Sequence, residues 1–360
     1  MFNFPSSPTV GMTYDGEGVA TWRWNGYAWV GGSGSTGSSP PPPPPVLPDS
    51  ERYPFVTRPV PGKNLTPGDP LQGDFIVGRI SVATLKDPAT ATMPLGLVRD
   101  LVNQNITVQS AASGTIFQDY DMRGGWTIDF HINVYGFTIK NCLWDNAKKT
   151  SDLQYYACID AYNNLPQSVT VSDNDFEGFR LGEEPFEEAL VAWVAVADKS
   201  VSILRNFMYY PPGDHVKIEA GLIESNFMYG GGTTPEAHFD CVQVQQLNGP
   251  LTIRYNHMHG LGDGDVIGAT NVIRAVPNDD TQGPKAHQIL CYENVMRGCG
   301  HQIEDDQGNY YNAQYFNNWQ GDWMWSPHQI VEGTPDVRYF NNKVLSTGDP
   351  ISDVNPPPPV

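Results

Sequence analysis

Two polar stretches of this chain bring together side chains that can exchange protons. They are Asp214-His215-Val-Lys217-Ile-Glu219 and, about one repeat later, His238-Phe-Asp240-Cys-Val-Gln243-Val-Gln245. Alternate residues of a strand face the same side. If the apolar residues of the first stretch are buried, its polar residues share the outer face. The residues predicted to point outward are His215, Lys217 and Glu219, with Gln243 from the following strand.

These side chains suit general acid–base catalysis on a sugar. Hydrolysis of a glycosidic bond uses two carboxyl groups roughly 5 to 10 Å apart. We predict that Glu219 and Asp240, on neighbouring repeats, supply this pair, with His238 as an orienting partner. The expected substrate contacts are His215, Lys217 and Gln243. The alternative is an ordinary solvated face with turn residues, because Asp and Asn favour turns for local reasons.

A second acidic cluster follows in Gly300-His301-Gln-Ile-Glu304-Asp305-Asp306. Asp305 and Asp306 are further candidates for the catalytic acid, or for cation binding at a bend. No cofactor is expected. Calcium is the metal for which the chain has candidates, in Asp263-x-Asp265 and Asp279-Asp280, although these lack the pattern of a calcium loop.

An aromatic cluster near the C-terminus offers another route to binding. Gly321-Asp-Trp323-Met-Trp325-Ser-Pro327 has the composition of a loop, where exposed aromatic rings usually have a purpose. Trp323 and Trp325 are therefore predicted to stack on sugar rings. An interface within a trimer, or packing into the core, would explain the same residues.

The charge balance excludes some functions. The chain has 360 residues, with 21 Lys plus Arg against 40 Asp plus Glu and a net charge of -19. Binding to a nucleic-acid backbone needs a basic surface, so no nucleic-acid partner is expected. Lyase chemistry on uronates needs cations beside the substrate carboxylate, which makes hydrolysis the better candidate reaction.

Composition also limits the fold and the compartment. Gly and Pro number 36 and 31, which suits short strands and turns. No apolar stretch approaches the roughly 20 residues that span a bilayer, and the N-terminus does not resemble a signal peptide. The five cysteines are odd in number and include no CxxC pair, so we predict buried thiols and folding in a reducing cytosol.

The elements that would position these residues follow a repeat, apolar-x-apolar-x-x-Asn-x-apolar. Its clear copies contain Asn174, Asn206, Asn226, Asn256, Asn294 and Asn342; a degenerate copy contains Asn318 and a looser one Asn141. The asparagine would occupy a bend between two strands, and stacked amides would bond to one another inside a solenoid. The sequence thus predicts an all-β fold, a right-handed parallel β-helix with at least two strands per repeat and about eight repeats.

Four segments are expected. Residues 1–32 form a small aromatic β-hairpin module with a turn at Asn25-Gly26, and residues 33–55 are a Gly/Ser/Pro-rich linker. Residues 56–347 form the β-helix with its N-terminal cap. Apolar spacing in 94–102 predicts a short helix that caps the first repeat. Residues 348–360 form a Pro-rich extended tail.

Two resemblances add to these expectations. Phe4-Pro-x-Ser-Pro-Thr-Val-Gly11 followed by Thr21-Trp-Arg-Trp-Asn-Gly-Tyr-Ala-Trp29 resembles a short attachment module of bacteriophage tail and appendage proteins. The repeat region is similar to the pectate-lyase-like superfamily of parallel β-helix proteins, to which many phage tailspikes belong.

Together the resemblances imply a virion protein, assembled in the bacterial cytoplasm and without membrane insertion. Residues 1–32 would join other virion proteins, and the β-helix would bind or cleave host surface polysaccharide, as a homotrimer in many tailspikes. The alternatives are a non-enzymatic decoration or fibre protein and a β-helix enzyme outside any virion.

Overall fold

The chain divides into two compact units. The first comprises Met1–Phe55 with Arg180–Pro185, and the second comprises Val56–Phe179 and Phe186–Val360. The computed structural model describes residues 13–16, 20–24, 29–32, 77–79, 84–131, 133–145, 157–161, 168–177, 194–196, 200–209, 211, 214–230, 239–244, 247, 249–260, 269–275, 288–305, 312–323, 325–330 and 336–356.

The first unit contains a three-stranded antiparallel sheet. Its strands are β1 (Thr13–Gly16), β2 (Ala20–Trp24) and β3 (Trp29–Gly32), in that order. Trp24 pairs with Trp29 across β2 and β3, as the predicted hairpin requires. The predicted turn residues Asn25 and Gly26 lie outside the described residues, as does the linker 33–55.

The second unit is built from three long sheets. Sheet I contains β4 (Leu97–Asp100), β5 (Asn105–Val108), β7 (Thr127–Phe130), β10 (Ile159–Ala161), β13 (Val194–Val196), β16 (Val216–Ile218), β19 (Phe239–Val244), β22 (Ala269–Ala275), β25 (His301–Asp305) and β28 (Gln329–Ile330). Sheet II contains β6 (Ile116–Gln118), β8 (Thr138–Lys140), β11 (Thr170–Ser172), β14 (Ser202–Leu204), β17 (Gly221–Glu224), β20 (Leu251–Arg254), β23 (Gln288–Tyr292), β26 (Asn312–Phe316) and β29 (Val337–Phe340). Sheet III contains β9 (Leu143–Trp144), β12 (Asp175–Glu177), β15 (Phe207–Tyr209), β18 (Phe227–Tyr229), β21 (His257–His259), β24 (Val295–Arg297), β27 (Trp319–Gly321) and β30 (Lys343–Val344).

Successive strands join the three sheets in rotation. β7, β8 and β9 enter sheets I, II and III, and β10 then returns to sheet I beside β7. Pairing within the three sheets is parallel throughout, apart from antiparallel β4 at one edge of sheet I. Each repeat thus contributes three strands, one more than the minimum predicted. Within the described residues, the only helix is the short 3₁₀ turn Ser110–Ala112, so the protein is all-β with long parallel sheets.

The asparagines of the repeat form one internal ladder, as predicted. From Asn174 to Asn342, each Nδ2 donates to Oδ1 of the next ladder asparagine at 2.9 to 3.0 Å. Each backbone N–H donates to the same oxygen. The ladder includes Asn318 and is fully buried. Asn141 is not a member, because the backbone N–H of Cys142 occupies the equivalent position and donates to Asn174.

The bend itself is made by the residue before each ladder asparagine. That residue, and not the asparagine, has a left-handed backbone. The positions and φ angles are Asp173 (56°), Arg205 (51°), Ser225 (63°), Tyr255 (57°), Glu293 (55°), Asn317 (54°) and Asn341 (59°), and Asn141 (54°) has the same conformation before Cys142. The ladder asparagine is thus free to satisfy backbone groups on both sides of the bend.

One continuous core runs through the repeats. On sheet III its column is Trp144, Phe176, Met208, Met228, Met258 and Met296, each paired with the next in register. All five cysteines are free and buried, which confirms the prediction from their number and spacing.

The predicted capping helix at 94–102 is wrong. Leu97–Asp100 instead forms β4, which pairs antiparallel with β5. Of the apolar residues that suggested a helix, Leu97 is buried, whereas Leu95 and Val102 are 83% and 89% exposed. Pairing along the open edge of β5 satisfies backbone groups that a helix would leave unpaired. The Asp100 carboxylate then accepts N–H groups of the following turn.

The C-terminal segment does not extend away from the sheets. Ile351 and Val354 pack against the core, and Val354 pairs antiparallel with Tyr339 of β29. Residues 348–356 therefore cover the last repeat, because its strands would otherwise present unpaired edges. No helix in the described part of the chain is long and apolar enough to cross a bilayer.

Candidate functional site

Two aligned rows of polar side chains follow one face of sheet I. We call them the polar strip. Its first row is Asp214, Asp240, Asn271, His301 and Ser326. Its second row is Lys217, Gln243, Arg274, Glu304 and Gln329. The parallel register of β16, β19, β22, β25 and β28 positions one residue of each row on every repeat.

The two rows are three residues apart, which a regular strand does not allow. Two consecutive side chains between them are fully buried in each of four repeats: His215-Val216, Cys241-Val242, Val272-Ile273 and Gln302-Ile303. The pairing of β19 with β22 shifts register between Phe239 and Asp240, at the start of this irregular stretch. A local break in alternation thus returns a polar residue to the outer face on both sides of the buried pair.

Asp214 and Asp240 form a buried carboxyl pair at one end of the first row. They are 2% and 1% exposed, and the backbone N–H of Asp240 donates to Asp214 Oδ1 at 2.9 Å. Burial raises the pKa of Asp214 well above its usual range, and the Asp240 carboxylate adds to this, against the opposing effect of Lys217 and Arg274. A carboxyl group whose pKa is raised by burial is suited to general acid catalysis.

Carboxylates accompany both cations of the second row. Arg274 Nε lies 3.4 Å from Glu304 Oε2, which also accepts a hydrogen bond from Asn271 Nδ2 at 2.5 Å. Burial lowers the pKa of Lys217, while Asp214 and Asp160 favour its charged form. Each cation of the strip therefore has carboxylates in its electrostatic surroundings.

A histidine, a serine and a tryptophan form the other end of the strip. His301 Nδ1 and Ser326 Oγ are 2.7 Å apart, and the Ser326 hydroxyl donates to the carbonyl of His328 at 2.6 Å. The Trp325 ring lies 5.1 Å from the His301 ring, centroid to centroid. Trp325 is 60% exposed, so this end of the strip presents a large aromatic surface to solvent.

The prediction that His215 is exposed is wrong. It is fully buried beside Val216, and its ring meets Phe239 edge-on with 5.1 Å between centroids. Burial lowers the pKa of His215 to about 3, although backbone groups of Tyr229 and Met208 act in the opposite direction. His215 is thus a neutral core residue, because the break in alternation turns it inward.

The register also contradicts the predicted pairing of Glu219 with Asp240. Asp240 lies beside Asp214, and Glu219 is five residues further along the chain. Glu219 itself is 5% exposed at the end of β16. Asp214 was within the stretch that sequence reasoning selected, but only the register identifies it as the partner of Asp240.

The other predicted residues are divided between the core, the strip and the undescribed segments. Asp305 is fully buried next to partly buried Glu304, and it accepts a hydrogen bond from Tyr315 Oη at 2.9 Å. This orientation contradicts a role for Asp305 on a substrate at the outer face. Lys217 and Gln243 belong to the strip, and half-buried Trp323 precedes Trp325.

His238 and Asp306 lie outside the described residues, as do the calcium candidates at 263, 265, 279 and 280. Within the described residues there is no group of three or more His, Cys, Asp or Glu side chains placed to hold a metal ion.

Comparison with models of protein families, with curated protein sequences and with solved structures gives no significant match to this chain.

Proposed function

We propose that the three sheets close into one right-handed parallel β-helix, and that the polar strip on its outer face binds and hydrolyses a bacterial surface polysaccharide. The rotation of strands through three parallel sheets and the internal asparagine ladder support the closed solenoid. The polar strip carries the proposal, because its two rows run across successive repeats and so match an extended polymer.

Asp214 and Asp240 are the proposed catalytic pair. Asp214 would donate its proton to the glycosidic oxygen while Asp240 attacks the anomeric carbon to form a glycosyl ester, which water, deprotonated by Asp214, would then hydrolyse. Adjacent strands are about 4.8 Å apart, which is compatible with the roughly 5 Å between carboxyl groups in retaining glycosidases. The predicted catalytic roles of Glu219, Asp306 and His238 stay predictions, and none of these residues belongs to this pair.

The protein is proposed to be a tailspike or appendage component of a phage particle. This rests on the resemblance of residues 1–32 to phage attachment modules, and the antiparallel pairing of β2 and β3 agrees with a small independent module there. Removal of residues 1–50 should abolish incorporation into particles while the sheets still fold. Incorporation of the truncated protein at the normal level would remove this role from the module.

A non-enzymatic virion decoration or fibre protein is the second candidate. The low exposure of Asp214 and Asp240 favours it, because a polymer must reach both carboxyl groups before either can act. In this case the strip would bind glycan, or only stabilise the particle, without cleaving a bond.

Release of reducing ends from purified host capsule or lipopolysaccharide distinguishes the two candidates. Hydrolysis predicts that Asp214→Asn and Asp240→Asn each reduce release by about 100-fold or more, as loss of general acid–base catalysis does. Asp322→Asn is the matched control, because Asp322 is a carboxylate paired with Arg297 away from the strip. Binding without release would support the second candidate and reject hydrolysis.

A further inference from the structure

We infer that the polar strip takes an uncharged, hydroxyl-rich glycan, with one sugar ring stacked on Trp325 and one hydroxyl proton accepted by Nε2 of His301. This inference rests on the proposed glycan-binding function and specifies the class of glycan. It does not depend on whether Asp214 and Asp240 cleave the bound polymer.

Trp325 is an exposed ring held in a fixed position. Its backbone N–H donates to the carbonyl of Gly300 at 2.9 Å. A Cβ atom at Gly300 would lie 2.2 Å from two indole carbons, so the ring rests directly on the glycine backbone. A rigid aromatic surface loses little entropy on binding, and its flat apolar face suits the C–H face of a pyranose.

Ser326 determines which nitrogen of His301 carries the proton. The single Ser326 hydroxyl proton is donated to the carbonyl of His328, so Ser326 Oγ must accept from His301 Nδ1–H. Burial lowers the pKa of His301, which keeps the ring neutral at pH 7. Nε2 then has a free lone pair, and it makes no hydrogen bond to a described residue. It is the hydrogen-bond acceptor beside the Trp325 ring.

The remaining residues of the strip also favour a ligand that donates hydrogen bonds over a ligand that carries negative charge. Asn271 is 2% exposed, and its Oδ1 has no hydrogen-bond partner among the described residues; the same holds for Gln243 Oε1. Arg274 Nε lies 3.4 Å from the Glu304 carboxylate, which balances its charge, but it makes no hydrogen bond to a described residue. Two free acceptors beside one free donor favour hydroxyl groups, which both donate and accept, over carboxylates or sulfates, which only accept.

The inference can be tested with simple glycosides on the full-length protein. The probes are methyl glucoside and methyl galactoside, both neutral, and anionic methyl glucuronide, each titrated to about 100 mM because a single sugar ring binds weakly. We expect the neutral glycosides to shift the NMR signals of the His301 ring and the Trp325 indole N–H. The glucuronide should bind at least about tenfold more weakly, which corresponds to 1.4 kcal/mol.

Two variants and a control isolate the contacts. Trp325→Ala should abolish the shift of the His301 signals by the glycosides, whereas Tyr135→Ala should not, because Tyr135 is an exposed aromatic (48%) outside the strip. Ser326→Ala should leave the protein folded, redistribute the His301 proton between Nδ1 and Nε2 in long-range ¹H–¹⁵N spectra, and weaken neutral glycoside binding several-fold.

Three results would overturn the inference: no response to either neutral glycoside, tighter binding of the glucuronide, or a proton on Nε2 of His301 in the unmodified protein. The hydrolysis proposal is judged separately, by reducing-end release. Glycoside binding without any release would reject hydrolysis and leave this inference standing. Release of reducing ends that is unchanged in Trp325→Ala and Ser326→Ala would reject this inference and leave the hydrolysis proposal standing.

Discussion

At the scale of single residues, each ladder asparagine joins three repeats. Asn256 shows the arrangement: its Oδ1 accepts both the backbone and side-chain N–H of Asn226, and its Nδ2 donates to Asn294 and to the carbonyls of Ile223 and Arg254. A shorter side chain would remove the donor and the acceptor together. Since the site is fully buried, water cannot replace them.

Asn256→Ala should therefore be strongly destabilising. The substitution leaves several buried groups of neighbouring repeats unpaired, each of which costs roughly 1–3 kcal/mol, so we expect a loss of about 3 kcal/mol or more. Chemical denaturation measures the difference. Asn312→Ala is the control, because Asn312 is a half-buried strand residue outside the ladder, and its loss should stay below about 1 kcal/mol. Equal losses of stability in the two variants would mean that a ladder asparagine stabilises the fold no more than an asparagine outside the ladder.

Ser225 offers a change in the opposite direction. It has φ of 63°, and its buried hydroxyl has no hydrogen-bond partner among the described residues. Ser225→Gly should stabilise the protein by about 0.5–1 kcal/mol, because glycine enters the left-handed region without strain. Ser202→Gly, in extended strand β14, should destabilise by a similar amount. Thermal melting of both variants checks the sign; a loss in Ser225→Gly would contradict the strain argument.

At the scale of elements, the repeat was predictable and the strip was not. The template places an asparagine at the same bend in each copy, and only stacked repeats can satisfy its amide, so the ladder follows from the sequence. The strip depends on two adjacent inward residues, such as His215 and Val216, which regular alternation assigns to opposite faces. The helix predicted from apolar spacing at 94–102 is absent because pairing of this segment with β5 outweighs its local sequence pattern.

The carboxyl pair between β16 and β19 makes a prediction about pH. The folded protein holds the pKa of Asp214 above the roughly 3.9 of an unfolded chain. The folded state therefore becomes less stable as the pH rises from the unfolded pKa to the folded pKa. Asp214→Asn keeps the acceptor for Asp240 N–H and removes the ionisation. The variant should therefore be more stable than the parent at pH 8, with a gap that closes towards pH 4.

Asp121 provides the contrast for this measurement. Its pKa is lowered, mainly by hydrogen bonding to Arg123, so its ionised form supports the folded state above pH 4. Asp121→Asn should lose stability at neutral pH and approach the parent at low pH. Denaturation curves from about pH 2 to pH 8 should show the Asp214→Asn gap opening above about pH 4 and the Asp121→Asn gap closing below about pH 4. Parallel curves would mean that burial does not hold the proton on Asp214.

At the scale of the whole molecule, the stacked sheets have two ends that need protection. Antiparallel β4 covers the first edge of sheet I, and the returning C-terminal segment pairs with the last strands of sheets II and III. Between them the described strands of each repeat pair with those of the neighbouring repeats, so stability accumulates along the stack and the terminal segments close its ends. The high negative charge, -19, adds repulsion between molecules and so opposes association through the ends.

Removal of residues 348–360 should open the last repeat. This segment makes backbone hydrogen bonds between Val354 and Tyr339 in both directions, from Ile351 N–H to Asn342, and from Val344 N–H to Asp349. At about 1 kcal/mol each, their loss would destabilise the protein by roughly 4 kcal/mol. Exposed edges of sheets II and III would then pair between molecules, because unpaired parallel strands are templates for association.

Light scattering and thermal melting should show larger species and a lower melting temperature, whereas removal of 357–360 alone should show neither. A truncated protein with the parent's size and melting temperature would mean that the end of the stack is stable without its cover.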